Sequence, residues 1–165
     1  IDNILKEGVL VMGETENTQK AKEDAYRLLS YRDRSVSELR RRLLNKGHDP
    51  EVVNSIIPRI KELGYLDDKK FAEKWIRHKI KHAARGKYLL IKELKNKGVD
   101  ENIIKEALSK EYPREKELKN AVKLAKKWRN KSRNRDKKVI KLKAYLKNKG
   151  FSYEIISEAV EELQN

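Results

Sequence analysis

Apolar residues recur along most of the chain at intervals of three and four, the spacing of one face of an α-helix. From residue 18 to residue 165 there is no sustained alternation of apolar and polar residues, so the pattern predicts helices and no strands there. Three apolar stripes mark three long helices: Ala21, Ala25, Leu28 and Leu29; Phe71, Ala72, Trp75, Ile76 and Ile80; and Leu118, Ala121, Val122, Ala125 and Trp128.

The tripeptide Asn-Lys-Gly occurs three times, ending at Gly47, Gly98 and Gly150, with the glycines 51 and 52 residues apart. Glycine is favoured where a helix ends in the left-handed conformation, and a short polar residue is favoured where the next helix begins. Each tripeptide therefore predicts a tight turn between two helices. Leucines stand eight and four residues before each glycine, and a polar residue stands two after it: Leu39, Leu43 and Asp49; Leu90, Leu94 and Asp100; Leu142, Leu146 and Ser152.

This spacing predicts an all-α fold, an elongated solenoid-like array of three tandem three-helix repeats, because repeats of about fifty residues stack on their neighbours. A short non-helical N-terminal remnant precedes them, and its apolar run from Gly8 to Gly13 favours a strand. Pro58 should kink or split the third helix of the first repeat, because it lacks an N–H. The predicted boundaries are 1–17 for the remnant and 18–66, 67–112 and 113–165 for the repeats.

The composition fits a thin array better than a thick globular core. Charged residues make up 41% of the chain, apolar residues make up 38%, and the mean hydropathy is −0.91. The chain has no cysteine, which excludes disulfides and cysteine-ligated metals and fits a reducing compartment. No apolar run approaches the roughly 20 residues of a membrane span, so no membrane partner is expected.

The net charge of +15 is concentrated near the C-terminus. Residues 113–149 contain 16 basic and 3 acidic residues, a net charge of +13, whereas 150–165 contain four acidic residues and no basic one. Such a one-sided segment predicts contact with a polyanion at a defined place. The alternative is an ordinary solvated helix face.

The basic residues predicted to contact nucleic acid or an acidic partner fall into three groups. On a helical wheel, four lysines lie opposite the apolar stripe that begins at Leu118, and five more cations crowd the following loop. Two arginines belong to the helix that buries Leu39 and Leu43, and for these a solvated face is an equal alternative. The groups are Lys119, Lys123, Lys126 and Lys127; Lys131, Arg133, Arg135, Lys137 and Lys138; and Arg41 and Arg42.

Aromatic residues could add base stacking to these contacts. Trp75 and Trp128 fall on apolar stripes, which favours packing between helices over stacking on bases. Tyr31 and Tyr88 lie near predicted loops and are better candidates for stacking.

Candidate catalytic and metal sites are weak. The chain has no glycine-rich nucleotide-binding motif and no nucleophile elbow, so we predict no catalytic residue and no cofactor. His78 and His82 have a spacing that can bind a metal, but lysines and arginines surround them and no third ligand is evident. We predict no metal site. The pair Asp67 and Asp68 is explained more simply as a helix N-cap than as catalytic carboxylates.

Three segments carry a resemblance to a known family: "AYRLLSYRDRSVSELRRRLLNKG" (25–47), "LGYLDDKKFAEKWIRHKI" (63–80) and "LIKELKNKGVDENIIKEAL" (90–108). Together they resemble the RecX family of bacterial recombinase regulators. The resemblance implies tandem three-helix repeats and a role in DNA repair and the SOS response. It also implies binding to the RecA filament on single-stranded DNA, with duplex DNA as a further ligand, and restraint of strand exchange, ATP hydrolysis and co-protease activity. We also expect the protein to be cytoplasmic and monomeric.

Three functions follow from these observations. The first is a non-enzymatic regulator of a recombinase filament, which the resemblance favours. The second is a generic basic helical-repeat protein that binds nucleic acid without recombinase specificity. The third is an enzyme with an unrecognised site, and no motif in the sequence supports it.

Overall fold

Helices account for all the regular structure in residues 15–131 and 138–163, the part of the chain that the computed structural model describes. Nine helices and no strand lie in these residues, which confirms the all-α prediction. None of these helices is long and apolar enough to cross a membrane. The helices are α1 (Glu16–Tyr31), α2 (Val36–Asn45), α3 (Pro50–Glu62), α4 (Asp68–Ala83), α5 (Lys87–Asn96), α6 (Glu101–Glu111), α7 (Arg114–Lys131), α8 (Lys138–Asn148) and α9 (Tyr153–Glu161).

The helix α1 begins slightly earlier than the sequence pattern predicts. The Oγ1 of Thr15 accepts a hydrogen bond from the backbone N–H of Thr18 and caps the helix, so Glu16 and Asn17 are helical. The helix thus begins two residues before the predicted start of the first repeat at residue 18. The predicted strand from Gly8 to Gly13 lies outside the described residues.

The three Asn-Lys-Gly turns adopt the predicted conformation. The φ angles of Gly47, Gly98 and Gly150 are +89°, +71° and +89°, the left-handed region that favours glycine. The polar residue after each turn caps the following helix, as predicted. Asp49, Asp100 and Ser152 each accept a hydrogen bond from a backbone N–H in the first turn.

Pro58 does not split its helix. Residues Pro50–Glu62 form the single helix α3, so the predicted split is wrong, whereas the predicted kink stays a prediction. Proline removes the N–H that would bond to the carbonyl of Asn54. Asn54 and Pro58 are both exposed, so water can hydrogen-bond to that carbonyl, and the buried face of the helix is unaffected.

The described residues form two compact units, each with its own apolar cluster. The first unit runs to Phe71 and includes Lys97–Val99; the second contains Ala72–Asn96 and the residues from Asp100 onward. All six leucines that precede the turns are buried. The cluster of the first unit is Ala21, Ala25, Leu39, Leu43, Val53, Ile56, Ile57, Ile60 and Leu66. A cluster of the second unit is Ala121, Val122, Ala125, Leu142, Leu146, Phe151, Ile155, Ile156, Ala159 and Val160.

Within the first unit, the Gly98 turn contacts the start of α2. The hydroxyl of Ser35 donates a hydrogen bond to the backbone carbonyl of Lys97. A Cβ atom on Gly98 would overlap the side chain of Ser37. This turn therefore needs glycine for its φ angle and also for its close approach to α2.

Within the second unit, the Gly150 turn makes the equivalent contact with the start of α5. The N–H of Gly86 donates to the carbonyl of Lys149 at 2.8 Å, and the N–H of Tyr88 donates to the carbonyl of Gly150 at 3.1 Å. A Cβ atom on Gly86 would overlap the backbone of Gly150. The two glycines thus allow one backbone to lie directly on another.

Candidate nucleic-acid interface

One face of α7 is apolar and buried, and the other carries cations. Ala121 and Ala125 are fully buried in the second unit. The side chains of Lys119, Lys123, Lys126 and Lys127 are exposed, as the helical wheel predicts. Successive lysines of this set are four, three and one residues apart, which places them together on one side of the helix.

These four lysines have no carboxylate partner among the described residues. Two exposed lysines, Lys95 of α5 and Lys105 of α6, differ in this respect, because both pair with Glu101, at 3.0 and 3.3 Å. Like charges at helical i,i+4 spacing repel each other. A bound polyanion would relieve that repulsion, so the lysine face of α7, defined as these four residues, is suited to phosphate.

Neither carboxylate of α7 forms an ion pair with this face in the described part of the chain. Glu117 is buried and accepts a hydrogen bond from the N–H of Lys87 at 2.9 Å, and its other oxygen lies 3.5 Å from the Lys87 ammonium. Glu115 lies in the first turn, before all four lysines. Glu117 therefore holds the start of α5, and the charge of the lysine face stays uncompensated.

Further unpaired cations lie on α8. Lys141 and Lys147 are exposed, Lys143 is half-buried, and none of the three has an ion-pair partner in the described part of the chain. The sequence reasoning did not select them. The sequence did contain a signal for these unpaired lysines, because no acidic residue occurs between Asp136 and Glu154.

The five cations predicted near the loop after α7 stay predictions. Arg133, Arg135 and Lys137 lie outside the described residues. Lys131 ends α7 and Lys138 begins α8.

The arginine cluster of the first unit has the predicted orientation. Arg41 and Arg42 are exposed on α2, and neither forms an ion pair within the described ranges. Arg40 is half-buried and donates a hydrogen bond to the side chain of Asn54. Arg41 and Arg42 are thus available to a partner, and their role stays a prediction.

Both tryptophans pack against protein groups, as their position on the apolar stripes predicts. The indole N–H of Trp75 donates to Glu93 at 3.1 Å, and the Lys79 ammonium lies 4.6 Å from the centroid of the indole ring. Trp128 stacks on Tyr145 with ring centroids 6.2 Å apart. Both indole rings are thus engaged within the protein, and base stacking by the tyrosines stays a prediction.

Three tyrosines are largely exposed. Tyr31 and Tyr88 are 79% and 65% exposed, in agreement with the prediction that they lie away from the core. The sequence reasoning missed Tyr153, which is 77% exposed. It directly follows the N-cap Ser152, and its position gave no separate signal.

The paired aspartates have structural roles. Asp67 accepts hydrogen bonds from the N–H groups of Lys69 and Lys70 and so caps α4. Asp68 accepts one from the N–H of Val36 at 2.8 Å and so ties the start of α2 to α4 within the first unit. His78 and His82 are exposed, with ring centroids 4.7 Å apart.

Comparison with protein families gives three matches in tandem. The model described as RecX, first three-helix domain, matches residues 21–59. The models of the second and third three-helix domains match residues 67–108 and 115–160. Together they cover most of the chain, and each overlaps three successive helices.

Individual relatives agree with this assignment. A regulatory protein RecX of Bacillus pumilus is 38% identical over 146 residues, covering 87% of this chain and 55% of the relative. One of Clostridium botulinum is 30% identical over 168 residues, covering 99% of this chain and 78% of the relative. The crystal structure of RecX from Lactobacillus salivarius has a TM-score of 0.82 and 29% identity, covering 90% of this chain and 97% of that chain. The chain spans about half the length of the Bacillus relatives, 55% for B. pumilus and 52% for B. subtilis.

Proposed function

This chain belongs to the RecX family of regulatory proteins, and we propose that it binds the RecA filament and single-stranded DNA and restrains the recombinase. The restraint would act on ATP hydrolysis, strand exchange and co-protease activity. It would work by binding alone, without catalysis by this chain. With RecA and DNA as its ligands, the protein would act in the cytoplasm. Family membership supports the regulatory part of the proposal.

The lysine face of α7 is the observation that supports the contact with DNA. Four exposed ammonium groups without carboxylate partners retain counterions that a phosphate backbone would displace. Such contacts are independent of base sequence, which suits a protein that acts on a filament at any position along DNA. The loop cations Lys131, Arg133, Arg135, Lys137 and Lys138 would extend this contact.

Arg41 and Arg42 are the second proposed contact, to DNA or to an acidic surface of the recombinase. Each cluster by itself supplies a few charge contacts, and two weak contacts on one chain gain affinity when both engage one filament. A protein held in this way across neighbouring RecA subunits would impede the motions that ATP turnover requires.

Inhibition of RecA tests the regulatory role. We expect the chain to inhibit DNA-dependent ATP hydrolysis by RecA at a low molar ratio to RecA. The measurement is ATP turnover on a fixed amount of single-stranded DNA as the chain is titrated. Inhibition only at concentrations that coat the DNA would instead support a generic nucleic-acid-binding protein.

Substitution of the lysine face tests the contact with DNA. We expect simultaneous replacement of Lys123, Lys126 and Lys127 by glutamine to weaken binding to single-stranded DNA of every sequence alike. The slope of log K against log salt should become shallower by roughly 0.7 per lost contact, about two for the triple variant. Folding should change little, since exposed substitutions typically stay within about ±0.5 kcal/mol each.

A matched control removes three exposed lysines that already have carboxylate partners. Lys20, Lys70 and Lys105 lie 2.6, 3.8 and 3.3 Å from Glu16, Asp67 and Glu101. Their replacement by glutamine changes the net charge equally and should leave the salt slope nearly unchanged. If the two triple variants had equal slopes of log K against log salt, the lysine face would contact water and not DNA phosphates.

A further inference from the structure

A groove in the second unit lies beside the Gly150 turn and has a volume of about 440 Å³, within the range of small-ligand sites. Two tyrosines, two lysines and an apolar surface form it: Tyr88, Tyr153, Lys143, Lys147, Phe151 and Ile156. Tyr88 comes from the first turn of α5, whereas Tyr153 begins α9. Among the described residues that line the groove, none carries a carboxylate.

The backbone contact of the Gly150 turn fixes the two tyrosines beside the same groove. Hydrogen bonds from Gly86 to Lys149 and from Tyr88 to Gly150 tie the start of α5 to the turn. Tyr153 follows that turn by three residues, and Ser152 caps its helix. The backbone contacts therefore place both tyrosines beside the groove before any ligand binds.

The charge of the groove selects the kind of ligand. Lys143 and Lys147 are one helical turn apart on α8 and have no ion-pair partner in residues 15–131 and 138–163. Cations beside exposed aromatic rings are the two elements of single-strand recognition, because phosphates pair with the cations and bases stack on the rings. An acidic protein segment would satisfy the cations, but it would not need two exposed flat rings.

We propose that this groove takes an unstacked nucleobase of single-stranded DNA. The base stacks on Tyr88 or Tyr153, and the adjoining phosphates contact Lys143 and Lys147. The proposal rests on the proposed function, since it requires the chain to bind single-stranded DNA. It adds a preference for single strands over duplex, because bases within a duplex are stacked on each other and cannot enter.

The test is binding of oligo(dT) to the full chain and to a variant with both Tyr88→Ala and Tyr153→Ala, measured by fluorescence anisotropy. We expect the affinity to fall about five- to 150-fold, the range for loss of one stacked base. The salt slope should stay unchanged, because no charge is removed. Ile140→Ala is the control, because it also removes a large exposed side chain without changing the charge. Ile140 is 78% exposed on α8 and does not line the groove, so this variant should bind like the unsubstituted chain.

An oligonucleotide of abasic sites gives a second measurement that does not depend on how the variant folds. The unsubstituted chain should bind it as weakly as the double variant does, and the tyrosine substitutions should have no effect on it. If oligo(dT) binds the double variant and the unsubstituted chain equally, the nucleobase proposal is overturned while the lysine face stands. Equal DNA binding with lost inhibition of RecA would show that the groove takes a protein segment. No binding of oligo(dT) by the unsubstituted chain would refute the DNA contact of the proposed function, and this proposal with it.

Discussion

Replacing Gly150 by alanine should lower the free energy of unfolding by about 2–4 kcal/mol, whereas the same replacement at Gly47 should cost about 1 kcal/mol. Both glycines have a φ of +89°, so the conformational cost of adding a Cβ atom is the same at the two positions. At Gly150 the new atom would also overlap the backbone N and the Cβ of Leu89. At Gly47 no described atom lies within 4 Å of it.

The measurement is urea denaturation of both variants, followed by circular dichroism. The difference between the two values isolates the contact of the Gly150 turn with α5, because the backbone strain cancels. Equal destabilisation of the two variants would mean that the backbone contact at Gly150 relaxes without cost. Since this turn also positions Tyr88 and Tyr153, the Gly150 variant should lose DNA affinity as well.

The backbone conformation of the Gly150 turn could be predicted from the sequence, but its contacts with α5 could not. A glycine after a helical stripe and before a polar cap has a preferred conformation that depends on a few neighbouring residues. Gly86 lies against Gly150, although the two residues are 64 positions apart in the sequence. Neither residue type predicts this contact. The repeat of the tripeptide therefore predicted three similar turns, whereas among the described residues the second and third turns have such an overlap and the first does not.

The lysine face shows the same division between local and long-range information. Helical spacing alone placed Lys119, Lys123, Lys126 and Lys127 opposite the apolar stripe. Whether their charge was neutralised depended on where the nearby carboxylates point, and Glu117 is used by Lys87 in α5. Likewise Tyr88 could be recognised as exposed, but its position beside the same groove as Tyr153 required the fold.

The largest electrostatic effect is expected at Glu38, which is 6% exposed and lies in the first turn of α2. Its carboxylate accepts two hydrogen bonds from the Arg32 guanidinium at 3.2 Å and one from the Lys97 ammonium at 3.0 Å. It also completes the capping box with Ser35. Burial raises the pKa of Glu38, but the hydrogen bonds from Arg32 and Lys97 outweigh burial and lower it from 4.5 to about 2.

Glu38→Gln should therefore lower the free energy of unfolding at neutral pH by about 1.5–3 kcal/mol, the usual contribution of hydrogen bonds to charged groups. Glutamine can still complete the capping box, so this variant removes the charge and keeps the cap. Glu38→Ala should lose about 1 kcal/mol more, because the cap is lost as well. Glu16→Gln is the control, since Glu16 pairs with Lys20 in full exposure and such pairs contribute little.

The pH dependence separates the charge of Glu38 from its packing. Because its pKa in the folded state lies below the ordinary value, the ionised carboxylate stabilises the fold above pH 4.5, and this stabilisation is lost as the pH falls toward 2. Denaturation of the unsubstituted chain and of Glu38→Gln at several pH values should give a constant difference above about pH 5, and that difference should shrink below pH 4.5. A difference that stays constant down to pH 2 would show that packing, and not the ion pairs with Arg32 and Lys97, makes Glu38 stabilising.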